Sequence, residues 1–203
     1  MQLNTDKLFS PLDGIDLDDI NIYLVGGAVR DILLGLNPKD MDYAAIGTTP
    51  ESLVGRGFQQ VGQDFPVFLH PKSYVEVALA RTERKTQSGH QGFEVNTDPS
   101  VDLKTDLKRR DFTVNAMAIS RDGELVDPYN GQKDIEDRIL RHVSDAFSED
   151  PLRVLRGVRL KAQLSKFEFA FAVETRSFME NMTARLSELS AERINIEIDK
   201  ILE

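Results

Sequence analysis

The periodicity of apolar residues changes once along this chain, near residue 140, and that change limits the folds open to it. Before it, short runs of β-like alternation are separated by short helical patterns. "NIYLVG", "MDYAAIG", "FPVFLH" and "YVEVALA" read as strands bounded by Gly, Pro and charged turns. "AVRDILLG" reads as a helix stopped by Gly35. "TPESLVGRG" reads as another, capped by Thr48 or Thr49, with Pro50 at its first position and Gly57 beyond its end. Residues 83–100 are polar, with scattered Gly and Asn, and read as a long mobile loop. Beyond residue 140 the spacing is helical. "EDPLRVLRGVRLKAQL" carries apolar residues at Leu152, Leu155 and Val158. A last helix, opened by Ser190 and Arg193, aligns Ile194, Ile198 and Ile201 on one stripe. The expected class is therefore α+β, a small mixed β-sheet followed by an all-helical segment.

Charge narrows the function. The formal net charge of −9 argues against a general nucleic-acid binder. Yet positive charge is concentrated in "LKRRD" (107–111) and "RVLRGVRLK" (153–161), which suits a defined phosphate site better than a sliding surface. With no Cys, the chain has no disulfide, thiolate zinc site or cysteine nucleophile, and it suits a reducing cytosol. The acidic first twenty residues lack the order of a signal peptide, and no apolar run approaches a membrane span.

Several residues are candidates for chemistry. Asp40 and Asp42 form a D-x-D triplet, which chance also supplies: Asp16 and Asp18 form another. On a strand, residues two apart share a face, so Asp40 and Asp42 would stand side by side with Met41 turned into the core. Two carboxylates so placed repel unless a cation lies between them, and Mg²⁺ favours one or two carboxylates plus phosphate oxygens. Glu76, on another alternating strand, would add a third carboxylate; an exposed Glu on a half-buried strand is the plainer reading. Gly26 and Gly27 follow a strand and open a helix, where backbone N–H groups can meet a phosphate. A packing turn is the commoner use of such a pair, but Arg30, one turn on, can reach the same anion. Arg109 and Arg110 could grip a triphosphate, or end a solvated basic helix. Asp111 and Asn115 are four apart, as on one helix face. Arg153, Arg156 and Arg159 recur every three residues with little acid nearby, which suggests phosphate rather than a salt-bridged surface.

At this point the sequence resembles a family. "YLVGGAVRDILLGLNPKDMD", "LKRRDFTVNAMAI", "EDPLRVLRGVR" and "SAERINIEIDKIL" are similar, in order and spacing, to four motifs of the class II tRNA nucleotidyltransferases, the CCA-adding enzymes of the DNA polymerase β superfamily. "GFQQVGQDFPVFLHP", "ALARTERK", "VDPYNGQKDI" and "LRHVSDAFSEDPLR" extend the likeness to the gamma-proteobacterial multifunctional members. The resemblance runs from Ile22 onwards. It implies a nucleotidyltransferase head with a five-stranded sheet over residues 21–140, a helical neck over 141–203 and an N-terminal extension over 1–20. It implies that the body, the tail and the His-Asp phosphohydrolase domain of full-length members lie outside this chain. His70, His90 and His142 include no His-Asp dipeptide, so no phosphodiesterase or phosphatase activity is expected.

The resemblance also assigns roles. Asp40 and Asp42 match the Mg²⁺ pair, with Glu76 as a further catalytic carboxylate. Gly26, Gly27 and Arg30 match nucleotide-binding positions, and Arg110 the triphosphate contact. Asp150 and Arg153 match the pair that reads the incoming base, and Arg156 and Arg159 further nucleotide contacts. The implied reaction is Mg²⁺-dependent, template-independent addition of C and A from CTP and ATP to the 3′ end of tRNA. The expected setting is cytoplasmic, with no membrane, haem or nicotinamide. Donor and acceptor logic agrees: an ionised Asp only accepts and an Arg only donates, which suits the amine and ring nitrogen shared by C and A. A poly(A) polymerase-like enzyme, a CC-only or A-only specialist, and a catalytically silent RNA-binding module stay open as alternatives.

Overall fold

The alternating runs of the first half are buried on both faces, and they assemble into one mixed sheet. The computed structural model describes residues 4–61, 67–85 and 93–202. In chain order its first part comprises α1 (Thr5–Phe9), β1 (Asn21–Val25), α2 (Gly27–Leu33), β2 (Asp42–Ile46), α3 (Pro50–Gly55), β3 (Gln59–Val61), β4 (Val67–Leu69) and β5 (Glu76–Leu79). There follow β6 (Thr82–Lys85), β7 (Phe93–Asn96), α4 (Leu103–Lys108), β8 (Ala118–Ser120), β9 (Leu125–Val126), α5 (Gly131–Glu136) and β10 (Ile139–Leu140). The remainder comprises α6 (Leu152–Gln163), β11 (Ala170–Phe171), α7 (Val173–Met182) and α8 (Ala191–Leu202).

The sheet has seven strands in the order β3-β4-β5-β2-β1-β8-β9. Only β2 and β5 run parallel; the other neighbours are antiparallel. The period of two sorts its residues. Ile22, Leu24, Tyr43, Ala45, Val77 and Leu79 join the larger core on one face. Val25, Ala44 and Ala118 meet Leu107 of α4 on the other. The strands so predicted are therefore present, and the sheet gains short edge strands beyond the five implied by the resemblance.

Four expectations are corrected. Residues 83–100 are not one loop, because β6 and β7 pair as an antiparallel hairpin with Thr82 opposite Asn96. The tip, residues 86–92, lies outside the described residues. The segment read as an extension contributes Leu8, Phe9, Leu12, Leu17 and Ile20 to the same core as the sheet. Tyr43 on β2 donates its hydroxyl to the Leu8 carbonyl at 2.6 Å, and Ser73 does likewise to Pro11 at 2.6 Å. The helical part is not purely helical, since β11 pairs in parallel with β10. Finally, the buried face of α6 is Val154, Gly157 and Leu160, whereas Val158 is exposed. Gly157 is needed there because a Cβ would lie 2.9 Å from the Phe112 ring. Phe112 itself sits in the core of the helical part, with Phe147, Leu164 and Met179, so the two halves share side chains rather than a linker.

Candidate active site

Three elements converge on the Gly26–Gly27 turn. Gly26 has φ +76, which an L side chain rarely adopts, and its Cβ would fall 2.8 Å from Nη1 of Arg110. Gly27 opens α2, and its Cβ would lie 3.4 Å from Nη2 of Arg30. The two guanidinium groups therefore lie over the glycine pair, and at Gly26 only a bare backbone leaves room. Asn115 bridges them: Arg30 Nη1 donates to Asn115 Oδ1 at 2.8 Å, and Arg110 Nη1 to the Asn115 carbonyl at 3.5 Å. Arg30 is also held by Asp31, with Nη2 donating at 2.6 Å.

Buried acids fix the second arginine cluster. Asp106 faces Arg109 Nη2 at 2.9 Å and Arg110 Nη2 at 3.5 Å, and accepts from the Arg81 N–H at 3.2 Å. Burial works to raise its carboxyl pKa, but Arg109 and Arg110 outweigh it and the net direction is down. Asp111 and Asn115 do not lie on one helix as expected. Thr113–Asn115 is a single 3₁₀ turn, which brings Asn115 Nδ2 to 3.5 Å from Asp111 Oδ1. Asp111 Oδ2 accepts from Arg156 Nε at 2.7 Å. A polar chain thus runs from Arg30 through Asn115 and Asp111 to Arg156 on α6.

The carboxylates lie on the sheet beside this cluster. β2 begins at Asp42, so Asp40 occupies the bend before the strand and not the strand itself. Met41 nevertheless packs toward the larger core, as the alternation required. Asp42 is the register partner of Glu76 on β5, so the two share the face opposite Tyr43 and Val77. Asp42 keeps an edge open to solvent, yet partial burial pushes its carboxyl above the ordinary value. Arg110 opposes that shift and Asp40 adds to it. Among the described residues, no three His, Cys, Asp or Glu side chains converge as a metal cage, so Glu76 is beside the pair without completing one. Two hard oxygen donors with an open side, one of them destabilised as an anion, do fit Mg²⁺ that takes its other ligands from phosphate.

The two residues matched to base reading take separate partners. Asp150 precedes α6 in extended backbone; its Oδ1 accepts from the Leu152 N–H at 3.1 Å. Its Oδ2 accepts from Arg193 Nη2 at 2.8 Å. Arg153 is joined to Asp150 through the backbone, by N–H to carbonyl at 3.1 Å, while its Nη2 donates to the Arg109 carbonyl at 2.8 Å. Arg159 Nε lies 3.2 Å from Glu197 Oε2 on α8. The sequence reading assigned no role to Asp106, Arg193 or Glu197. The signal for the last two was present, an Arg and a Glu one turn apart beside an isoleucine stripe. No helix among the described residues is long and apolar enough to cross a membrane.

Known proteins share this sequence and fold. The family described as "Poly A polymerase head domain" matches residues 22–141. A "Multifunctional CCA protein" of Pseudoalteromonas atlantica is 55% identical over 185 residues, covering 90% of this chain and 46% of its own. The crystal structure of the Bacillus stearothermophilus CCA-adding enzyme in complex with CTP superposes with a TM-score of 0.79 at 31% identity, covering 99% of this chain and 49% of that one. A CCA-adding enzyme complexed with ATP gives a TM-score of 0.71 at 26% identity, covering 98% and 46%. This chain spans about half the length of the relatives it matches.

Proposed function

We infer the function from one premise: the chain belongs to the nucleotidyltransferase family defined by the poly A polymerase head domain. We propose that it catalyses template-independent transfer of C and A nucleotides from CTP and ATP to the 3′ end of tRNA, releasing pyrophosphate. The observation that carries this reading is the glycine turn under two arginines, with Arg110 also facing Asp42. The likeness to CCA-adding enzymes bound to CTP and to ATP supports both nucleotides.

In this reading the Gly26–Gly27 backbone, Arg30 and Arg110 cradle the triphosphate, with Arg156 and Arg159 contributing from α6. Fixing that group in line with the attacking 3′-hydroxyl removes much of the entropic barrier. Mg²⁺, when bound, lowers the hydroxyl pKa and offsets charge on the departing phosphates. Asp40 and Asp42 would hold it, with Glu76 alongside. Asp150 and Arg153 would read the base, because U and G place a carbonyl where C and A place an amine, opposite a carboxylate. A cysteine-free chain acting on tRNA fits the cytoplasm.

The test supplies the chain and Mg²⁺ with an RNA bearing a tRNA acceptor end and each triphosphate in turn. C and A should be incorporated, U and G should not, and Asp42→Asn should lower the rate at least about a hundredfold. Equal use of all four bases, or full activity in Asp42→Asn, refutes the proposal. The description of the matching family favours one second reading, poly(A) synthesis. It would appear in the same assay as long products from ATP alone.

A further inference from the structure

Tyr74 stands where a chain would ordinarily use glycine. It lies in the turn between β4 and β5 with φ +59, the left-handed region that bulky side chains rarely adopt. Two backbone bonds close the turn, from the His70 N–H to the Val75 carbonyl and from the Tyr74 N–H to the His70 carbonyl, each at 3.0 Å. Hairpin turns favour glycine or asparagine at a position of this kind. The tyrosine gains no packing in return. It is 68% exposed, the only exposed aromatic side chain among the described residues, and it joins none of the hydrophobic clusters. A single exposed apolar side chain is ordinary. One held in a strained conformation points to function.

The support beneath the turn keeps it in that conformation. His70 is buried and packs edge-on to Phe58, with ring centroids 5.5 Å apart. Its Nδ1 accepts from the Ser73 N–H at 3.2 Å, and Ser73 Oγ donates to the Pro11 carbonyl at 2.6 Å. The turn is thus clamped between the sheet and the N-terminal segment, and Tyr74 is presented from a rigid base.

We propose that Tyr74 is a binding residue for the accepting RNA, its ring stacking on a base of the unpaired 3′ end beside Glu76. The inference rests on the proposed function and deepens it, from the nucleotide to the RNA.

Placement in the sheet carries the argument. Val75 and Val77 pack toward the larger core, so Glu76 between them lies on the opposite face. Tyr74 is two residues before Glu76, so their Cα atoms are within about 8 Å. Glu76 is in turn the register partner of Asp42. In the strand order β5-β2-β1-β8, the Gly26–Gly27 turn follows β1 on one side of β2, and Tyr74 precedes β5 on the other. A triphosphate seated over the glycine turn releases its pyrophosphate toward that side. An in-line hydroxyl must then arrive from the β5 side, past Tyr74. Unpaired RNA is held by stacking its bases on aromatic side chains, which tolerates any base and suits an end that changes as it grows.

The experiment follows the anisotropy of two labelled RNAs on the 203-residue chain with Mg²⁺: a stem with an unpaired 3′ tail ending in cytidines, and the same stem blunt-ended. Tyr74→Gly should weaken binding of the tailed RNA about fivefold or more, and of the blunt stem less than about twofold. Tyr74→Phe, which keeps the ring, should bind both as the wild type does. Glycine relieves the strain, so Tyr74→Gly should melt no lower than wild type, the reverse of what a purely structural tyrosine would show. Its affinity for Mg-ATP without RNA should stay within about twofold of wild type. Should Tyr74→Gly not fold, Tyr74→Asn repeats the test, because asparagine accepts the same backbone conformation. Wild-type affinity for the tailed RNA in the glycine variant overturns the proposal. So does an equal loss on both RNAs, a phenylalanine variant as weak as the glycine one, or a wild type that binds the tailed RNA no better than the blunt stem. If the expected losses appear but the chain adds neither C nor A to the tail, the proposed function is refuted and the stacking site stands.

Discussion

Protonating Asp111 should cost this protein stability as the pH falls below about 4. Asp111 is 6% exposed, and its carboxylate accepts from Arg156 Nε at 2.7 Å and from the Phe112 N–H at 2.9 Å. Burial alone would raise its pKa, but Arg156 chiefly, with Arg153 and the backbone bond, holds it at about 2. An unfolded Asp titrates near 3.9, so the difference is just under two units at about 1.4 kcal/mol each. Because the folded value is the lower one, the stabilisation is complete above about pH 4 and is lost as pH falls through about 2. The side chain of Arg156 is 40% exposed, so solvent screening trims the total to about 2 kcal/mol, roughly half of it gone by pH 3. Urea unfolding at about pH 5 and pH 3 measures this directly. Relative to wild type, Asp111→Asn should be less stable at pH 5 and should lose about 1 kcal/mol less between the two. The same loss in both proteins would show that Asp111 is not held by this pair, and the polar chain from Arg30 to Arg156 would lose its buried link.

Two further outcomes follow from the packing. Gly26→Ala should destabilise the chain by about 1–3 kcal/mol and weaken tripolyphosphate binding, since the new methyl is strained at φ +76 and meets Arg110. A thermal melt and a phosphate titration matching wild type would remove the reason for the glycine. Leu12→Ala should cost about 2–5 kcal/mol in chemical denaturation, because Leu12 is 1% exposed in the core shared with the sheet. A cost under about 1 kcal/mol would return residues 4–20 to the status of an appendage.

Much of the architecture was legible in order of elements. Period-two runs at Asn21–Val25 and Asp42–Ile46 became β1 and β2, and the cap at Thr49 and the stop at Gly35 fell where local geometry demands them. These features depend on residues within a few positions of each other, so a sequence carries them whole. Ordered motifs likewise pointed to the residues proposed to handle the nucleotide, because family order survives without coordinates. The alternation at Met41 told which way Asp42 faces, and tertiary pairing supplied the rest: Glu76, thirty-four residues on, is its register partner.

Faces and partners were decided only by the fold. On α6 the sequence reading named Leu152, Leu155 and Val158 as the helically spaced apolar residues. The structure buries Val154, Gly157 and Leu160, because Phe112 and Met179 approach there. Residues 1–20 read as an N-terminal extension, yet the apolar side chains of residues 8–20 pack on one face of the sheet. The isoleucines of α8 suggested a buried stripe, while Glu197 is what the helix buries. In each case the deciding energy is a contact between segments far apart in the chain, and helical or strand periodicity fixes only which residues share a face. It cannot say which face meets a partner, nor that Arg193 ends at Asp150, forty-three residues away.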